Sequence, residues 1–289
     1  MMALDTPFHC DSHPVSGANL SYLDSGGGKP PLHFYHANGF PVSVYLPFMT
    51  RLSKDFRVMA MGVRGQDAQT EGNTSWHAVA HDLISFLDAR KAGPVIGVGH
   101  SVGGVATMMA AALRPDLFSK IILIDPAILP YRYVTYMAVI RILGQKGRFF
   151  LAQRARGRKN GWADHQAAYD YFKDKSLFKH FDDAFLRSYV TYGLKPSPRG
   201  GVELLCPPEA EARIFENYPL DVWFWPKRVT VPALIIRGEH SDVLFDRSVR
   251  RFCAKCPDAR SHRVPGAGHL VPMEKPDDVL SVVRPFALT

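Results

Sequence analysis

Short apolar runs alternate with segments of helical periodicity along the first part of the chain. The runs Ala18–Asp24, Leu32–Tyr35, Arg57–Met61, Val95–Gly99 and Ile121–Asp125 read as strands. Between them, Ser43–Arg51, Ser75–Arg90 and Val102–Leu113 read as helices. The second opens with a polar cap before its stripe Val79, Leu83, Phe86 and Leu87. Such alternation predicts an α/β fold, a mostly parallel sheet with helices on both faces. The pattern breaks from about Ala127 to Arg228, in a mostly helical stretch dense in aromatics and charge. It resumes with strands at Ala233–Arg237 and Arg260–Val264, a helix near Phe245–Cys256 and a last helix from about Pro276. The expected organisation is a core of residues 1–126 and 229–289 interrupted by a helical cap, residues 127–228. Gly26-Gly27-Gly28 reads as a turn, because no helix start follows it to make a phosphate loop.

With 289 residues, 46% of them apolar and 21% charged, the chain can bury a large core and is no disordered tail. Four cysteines are too few for a disulfide scaffold. Cys10 and Cys206 are isolated, and Cys253-x-x-Cys256 falls in a charged amphipathic helix without a second Cys/His pair, so neither a redox nor a zinc site is expected. No run reaches the roughly 18 apolar residues of a membrane span. The polar first thirty residues do not resemble a secretory leader, and Ala-Leu-Thr is not a peroxisomal ending. A cytoplasmic protein, monomeric or homodimeric, is the expectation.

Charge changes this picture only in one place. The chain carries 35 Lys+Arg against 27 Asp+Glu, a net +8, but 17 of the former and 10 of the latter lie between Leu129 and Thr230. That segment therefore holds +7, and the rest is nearly neutral, which argues against a nucleic-acid partner. The excess concentrates at Arg154-Ala-Arg156-Gly-Arg158-Lys159. A solvated helical face is the ordinary reading, and an anionic substrate group near the cap is the one worth testing. The same segment holds 19 of the 33 aromatic residues, including Trp223-Phe224-Trp225, which favours an apolar or aromatic acyl group over a sugar or phosphate.

The chemistry is concentrated at Gly99-His100-Ser101-Val102-Gly103, where an apolar run passes directly into a helix-compatible one. A serine on so tight a turn needs small neighbours two residues away on either side. The turn lifts its hydroxyl clear of the sheet and sets it at a helix N-terminus, whose dipole favours developing negative charge. Ser101 is thus the expected nucleophile, and it requires a base and an orienting acid. His100 is adjacent and cannot reach back to the hydroxyl. His9, His13, His77, His81, His165, His180 and His262 stand in polar contexts and read as solvated. His269, in the glycine-rich loop Gly266-Ala-Gly268-His269 before the last helix, is the expected base. Three carboxylates contend for the acid. Asp242 lies far enough past its strand to turn back toward a histidine and is the first choice. Glu239, nearer the strand end, suits a role in its own loop, and Asp125 one in capping the turn into the insertion.

Ser101, Asp242 and His269 then follow the chain order of the α/β-hydrolase fold family, which the whole chain resembles. Arg237-Gly-x-x-Ser-Asp242 and Gly266-x-Gly268-His269 resemble that family's acid and base loops. Tyr189-x-x-x-Gly193-Leu194 and Leu205-Cys206-Pro-Pro-x-x-Glu211-Ala212 resemble the cap of a subgroup that includes fungal toxin-biosynthesis hydrolases and a yeast peroxisomal lipase. The resemblance implies an oxyanion hole made by the amides of Val102 and Phe40. Here Asn38 stands in the place of a usual histidine, in His36-Ala-Asn38-Gly39-Phe40-Pro41. It also implies that Arg64, in Gly62-Val-Arg64-Gly65-Gln66-Asp67, belongs to a structural turn near the mouth. A nucleophilic serine forms an acyl-enzyme, so the expected activity is hydrolysis of a small-molecule carboxylic ester, a serine esterase needing neither metal nor cofactor. The same fold also carries C–C bond hydrolases, ligand receptors, and cofactor-free dioxygenases, which place their acid where Asp125 stands.

Overall fold

The computed structural model describes residues 6–15, 18–65 and 74–289, and its elements follow the hydrophobic pattern closely. In chain order they begin β1 (His9–Val15), β2 (Ala18–Asp24), β3 (Pro31–Tyr35), α1 (Leu46–Leu52), β4 (Arg57–Met61) and α2 (Trp76–Arg90). There follow β5 (Val95–His100), α3 (Val102–Leu113) and β6 (Phe118–Ile124). The inserted stretch holds α4 (Tyr131–Ile142), α5 (Phe150–Arg156), α6 (His165–Lys173), α7 (Asp183–Tyr192), β7 (Leu194–Pro196), β8 (Val202–Leu204) and α8 (Pro208–Glu216). The chain closes with β9 (Ala233–Gly238), α9 (Asp246–Lys255), β10 (Ala259–Val264), α10 (Val271–Glu274) and α11 (Pro276–Leu288). Gln66 and Asp67 of the expected mouth turn lie outside the described residues.

Eight strands form one sheet in the order β1-β2-β4-β3-β5-β6-β9-β10. All pairings from β4 to β10 are parallel, whereas β1 and β2 are antiparallel to each other and β2 to β4. The central strands β5 and β9 are buried along their whole length, as continuous apolar runs demand when helices cover both faces. On one face α2 and α3 pack through Leu83, Phe86, Val105 and Met109. On the other, α1 and α11 pack through Phe48, Leu52, Leu280 and Val283. The Ser75 hydroxyl caps α2 as expected, accepting the Ala78 N–H at 3.2 Å.

Strand β1 has no counterpart in the apolar pattern. It is a largely exposed edge strand, His-Cys-Asp-Ser-His-Pro-Val, aligned by backbone pairing with β2. Its exception corrects one reading: His13 is buried, not solvated, with its ring edge-on to Phe86 at 5.4 Å. The inserted stretch contributes to both apolar layers of the core, Tyr218 and Trp223 to one and Phe185 and Tyr189 to the other. Among the described residues no helix is long and apolar enough to cross a membrane.

Candidate active site

Strand β5 delivers Ser101 into a conformation that few side chains adopt, φ 56° and ψ −116°, as the residue capping α3. Two glycines permit it. A Cβ on Gly99 would stand 2.4 Å from the Gly103 carbonyl oxygen, and one on Gly103 would stand 2.3 Å from that of Tyr35. Backbone bonds hold the turn on both sides, from Ser101 N–H to Ile124 O (3.1 Å) and from Ala127 N–H to Ser101 O (3.2 Å). The Val102 N–H opens the helix and has no carbonyl one turn back to bond.

His269 Nε2 lies 3.0 Å from Ser101 Oγ, the separation needed for proton transfer. The loop before α10 fixes the ring. Glu274 accepts the flanking amides of Gly268 (2.6 Å) and Leu270 (3.2 Å), and the His269 carbonyl accepts a bond from His100 Nε2 at 3.0 Å. Nothing in the spacing of Glu274 from His269 marked it for this duty.

The carboxylate that meets His269 is that of Asp125, which corrects the expectation of Asp242. Asp125 Oδ1 lies 2.7 Å from His269 Nδ1, and the residue is wholly buried at the end of β6. Its other bonds come from the Ser241 hydroxyl (2.6 Å) and the Gly238 amide (2.8 Å). Burial pushes its pKa up, opposed by His269, Ser241 and Gly238, each of which favours the carboxylate. Asp242 fails for a local reason. The Ser241 oxygen accepts the amides of Val243 (3.2 Å) and Leu244 (3.0 Å), closing a tight turn whose inner side faces Asp125. Asp242 is left outside, 73% exposed, with Arg154 at 4.0 Å. Glu239 serves its loop, as expected, by accepting the Gly266 amide at 2.9 Å.

Three buried histidines support this frame without touching Ser101. The Ala37 N–H donates to Tyr45 Oη (3.2 Å), and the Tyr45 hydroxyl donates to His100 Nδ1 (2.7 Å), so His100 Nε2 carries the proton given to His269 O. His36 Nε2 accepts the Val63 amide at 2.9 Å, which leaves its Nδ1 protonated toward Ala37 O. His33 is fully buried, and neither ring nitrogen has a hydrogen-bond partner among the described residues. Burial holds the pKa of His33 and His100 at about 3 and that of His36 at about 4. In the unfolded chain each titrates near 6.5. Below that pH the unfolded state binds protons the native state refuses, so stability falls as pH drops from about 6.5 toward about 3. The urea midpoint is expected to decline between pH 7.5 and pH 5, less steeply in His33→Phe. Equal slopes in the two proteins would contradict the assignment of His33.

The loop of Asn38, Gly39 and Phe40 is braced by the insertion. Asn38 Nδ2 donates to the Glu211 carbonyl at 2.9 Å, and the Glu211 carboxylate occupies the space a Cβ on Gly39 would need. That carboxylate bonds Arg158, which also bonds the Tyr189 hydroxyl. Tyr189 and Glu211, one from each motif of the insertion, thus meet on one largely buried guanidinium. The Phe40 N–H makes a long bond, 3.4 Å, to Ala37 O. Arg64, on the mouth turn, pairs with buried Asp82 on α2. Over Ser101 and His269 lies a cavity of about 260 Å³ whose walls include Phe40, Leu151, Phe178 and Leu270. The described residues hold no cluster of three metal-ligating side chains.

Residues 26–282 match the family described as the alpha/beta hydrolase family. The chain is 26% identical over 274 residues to 2-(acetamidomethylene)succinate hydrolase of Mesorhizobium japonicum, covering 94% of this chain and 92% of that one. It is 28% identical over 213 residues to esterase YbfF of Escherichia coli, covering 73% and 74%. Among solved structures, that of E-2-(acetamidomethylene)succinate hydrolase superposes with a TM-score of 0.83 over 98% of this chain and 100% of that one. At 24% identity this is a likeness of fold.

Proposed function

The chain belongs to the alpha/beta hydrolase family, and on that premise we propose that it cleaves a carboxylic ester through an acyl-enzyme on Ser101. One observation carries the reading: an unbroken line from Ser101 Oγ through His269 to the buried Asp125 carboxylate, at the floor of a largely apolar cavity. His269 takes the Ser101 proton as Oγ attacks the ester carbonyl. The Val102 and Phe40 amides receive the oxyanion, Phe40 exchanging its long bond to Ala37 for it. Collapse expels the alkoxide, which leaves as the alcohol with the proton from His269. Water then attacks the acyl-enzyme, giving its proton to His269, and Ser101 departs with that proton as the acid product is released. Asp125 holds the proton on Nδ1 and stabilises the imidazolium throughout.

Residues 127–228 act in this reading as the cap that selects substrate. The esterase relative supports an ester bond. The succinate hydrolase, whose name includes an acetamido group, makes an activated amide the next bond to assay. Incubation with a fluorophosphonate is expected to add one equivalent of label on the peptide carrying Ser101, and p-nitrophenyl butyrate to give a burst of p-nitrophenol. An unlabelled Ser101 together with burst-free turnover would remove the reading.

The place of the acid after β6 also favours a second reading, cofactor-free dioxygenation, in which His269 takes a substrate proton and no acyl-enzyme forms. Oxygen uptake without Ser101 labelling would select it.

A further inference from the structure

The basic excess of the insertion divides into two kinds of cation once each side chain is placed. Arg156 is held by Glu209 (2.7 Å) and Glu216 (2.5 Å), and Arg158 by Glu211. Arg154, Lys159 and Lys175 line the cavity above Ser101 on quite different terms. The carboxylate facing Arg154, that of Asp242, stands 4.0 Å away, with both side chains mostly exposed. Lys159 and Lys175 have no carboxylate within ion-pair distance among the described residues. Their ammonium groups instead lie 4.9 and 4.3 Å from the centre of one ring, Tyr171. Attraction to the ring quadrupole holds a cation but does not neutralise it.

The cavity wall therefore carries four cations, Arg154, Arg158, Lys159 and Lys175, against two carboxylates, Glu211 and Asp242. Glu211 is committed to Arg158. Both ammonium groups keep their charge on the cavity wall, and an anion entering the cavity gains attraction to each. The rest of the wall is largely apolar, including Leu151, Phe172, Leu177 and Phe215.

We infer that the substrate bears a carboxylate at a distance from the scissile carbonyl, received by Lys159 and Lys175 with Arg154 beside them. This rests on the serine-hydrolase reading and names its substrate class: esters joining an apolar spacer to an anionic end. The exposure of the three cations makes their effect one of capture and orientation, screened by salt.

Two matched pairs test it. One is p-nitrophenyl hydrogen adipate against its methyl-capped diester, with the anion on the acyl side. The other is 4-acetoxybenzoate against its methyl ester, with the anion on the leaving side. In one pair, kcat/KM for the anionic member is expected to exceed the neutral one by about tenfold or more at low salt. The ratio should shrink between about 20 mM and about 500 mM sodium chloride. It should invert in the Lys159→Glu/Lys175→Glu double variant but not in Arg199→Glu, which makes a smaller change of the same sign in net charge away from the cavity. No anionic preference in either pair, with Ser101 still labelled by the neutral fluorophosphonate, overturns this inference and leaves the hydrolase reading standing. Absence of the label overturns the hydrolase reading itself.

Discussion

Ser101→Ala is expected to fold as the parent does and to lose about 10⁵- to 10⁶-fold in kcat, with little change in KM. In the proposed mechanism the loss is large because Oγ is the atom that forms the covalent bond, and neither His269 nor the oxyanion amides can replace it. What survives is the contribution of binding and oxyanion stabilisation, about 10³- to 10⁴-fold over water. The helix start and elbow should tolerate the change, since the Ser101 side chain makes no capping bond to α3. The measurement is steady-state turnover of p-nitrophenyl butyrate, with active-site titration to exclude traces of the parent enzyme. Turnover within tenfold of the parent would remove Ser101 from the covalent role.

Asp125→Asn is expected to cost about 10⁴-fold in kcat near neutral pH, and Asp242→Asn less than about threefold. An amide at position 125 keeps the shape but changes the proton inventory. The Gly238 amide needs an acceptor at the Oδ2 position, so the single amide oxygen stays there and the NH₂ group takes the Oδ1 position, facing Ser241 and His269 Nδ1 together and favouring the tautomer with the proton on Nε2. That tautomer cannot take a proton from Ser101. Asp242, pointing outward beside Arg154, has no share in this. Circular dichroism and urea midpoints would separate a catalytic loss from a folding loss. A disabled Asp242→Asn with an active Asp125→Asn would reverse the assignment.

The elbow was legible because its requirement is local. The contact of Gly99 with Gly103 occurs within one turn of chain, so the spacing around Ser101 carries that part of the geometry with it, while Gly103 answers to Tyr35 on β3. His269 was legible because a glycine-bounded loop between the last strand and last helix has few places to go. The acid was not legible. Asp125 and Asp242 follow neighbouring strands, β6 and β9, and both strand ends lie near the same histidine. The choice between them is made by the Ser241 hydroxyl, which uses its oxygen to close a turn and its hydrogen to bond Asp125. No periodicity records that. His13 was misread for a related reason: on an edge strand of mostly exposed residues, one position looks polar from its neighbours and is buried by a distant one, Phe86 on α2.

The basic segment was legible as a composition and not as a site. Its charges sit on α5 and just beyond it, yet Arg156 and Arg158 are matched by carboxylates of α8, more than fifty residues later. Only the three-dimensional pairing separates these from the lysines that converge on Tyr171.

With the acid seated on β6, the connection from β9 to α9 is divided between two tasks. Ser241 holds the Asp125 carboxylate, and its immediate neighbour Asp242 belongs to the wall of the cavity. Natural variation or directed evolution can therefore rewrite the charge at position 242, and with it the fields felt by an incoming substrate, while the reaction machinery one residue away stays untouched. Selectivity and chemistry drift independently in such an arrangement, which gives the enzyme room to acquire new substrates without first losing its power to turn them over.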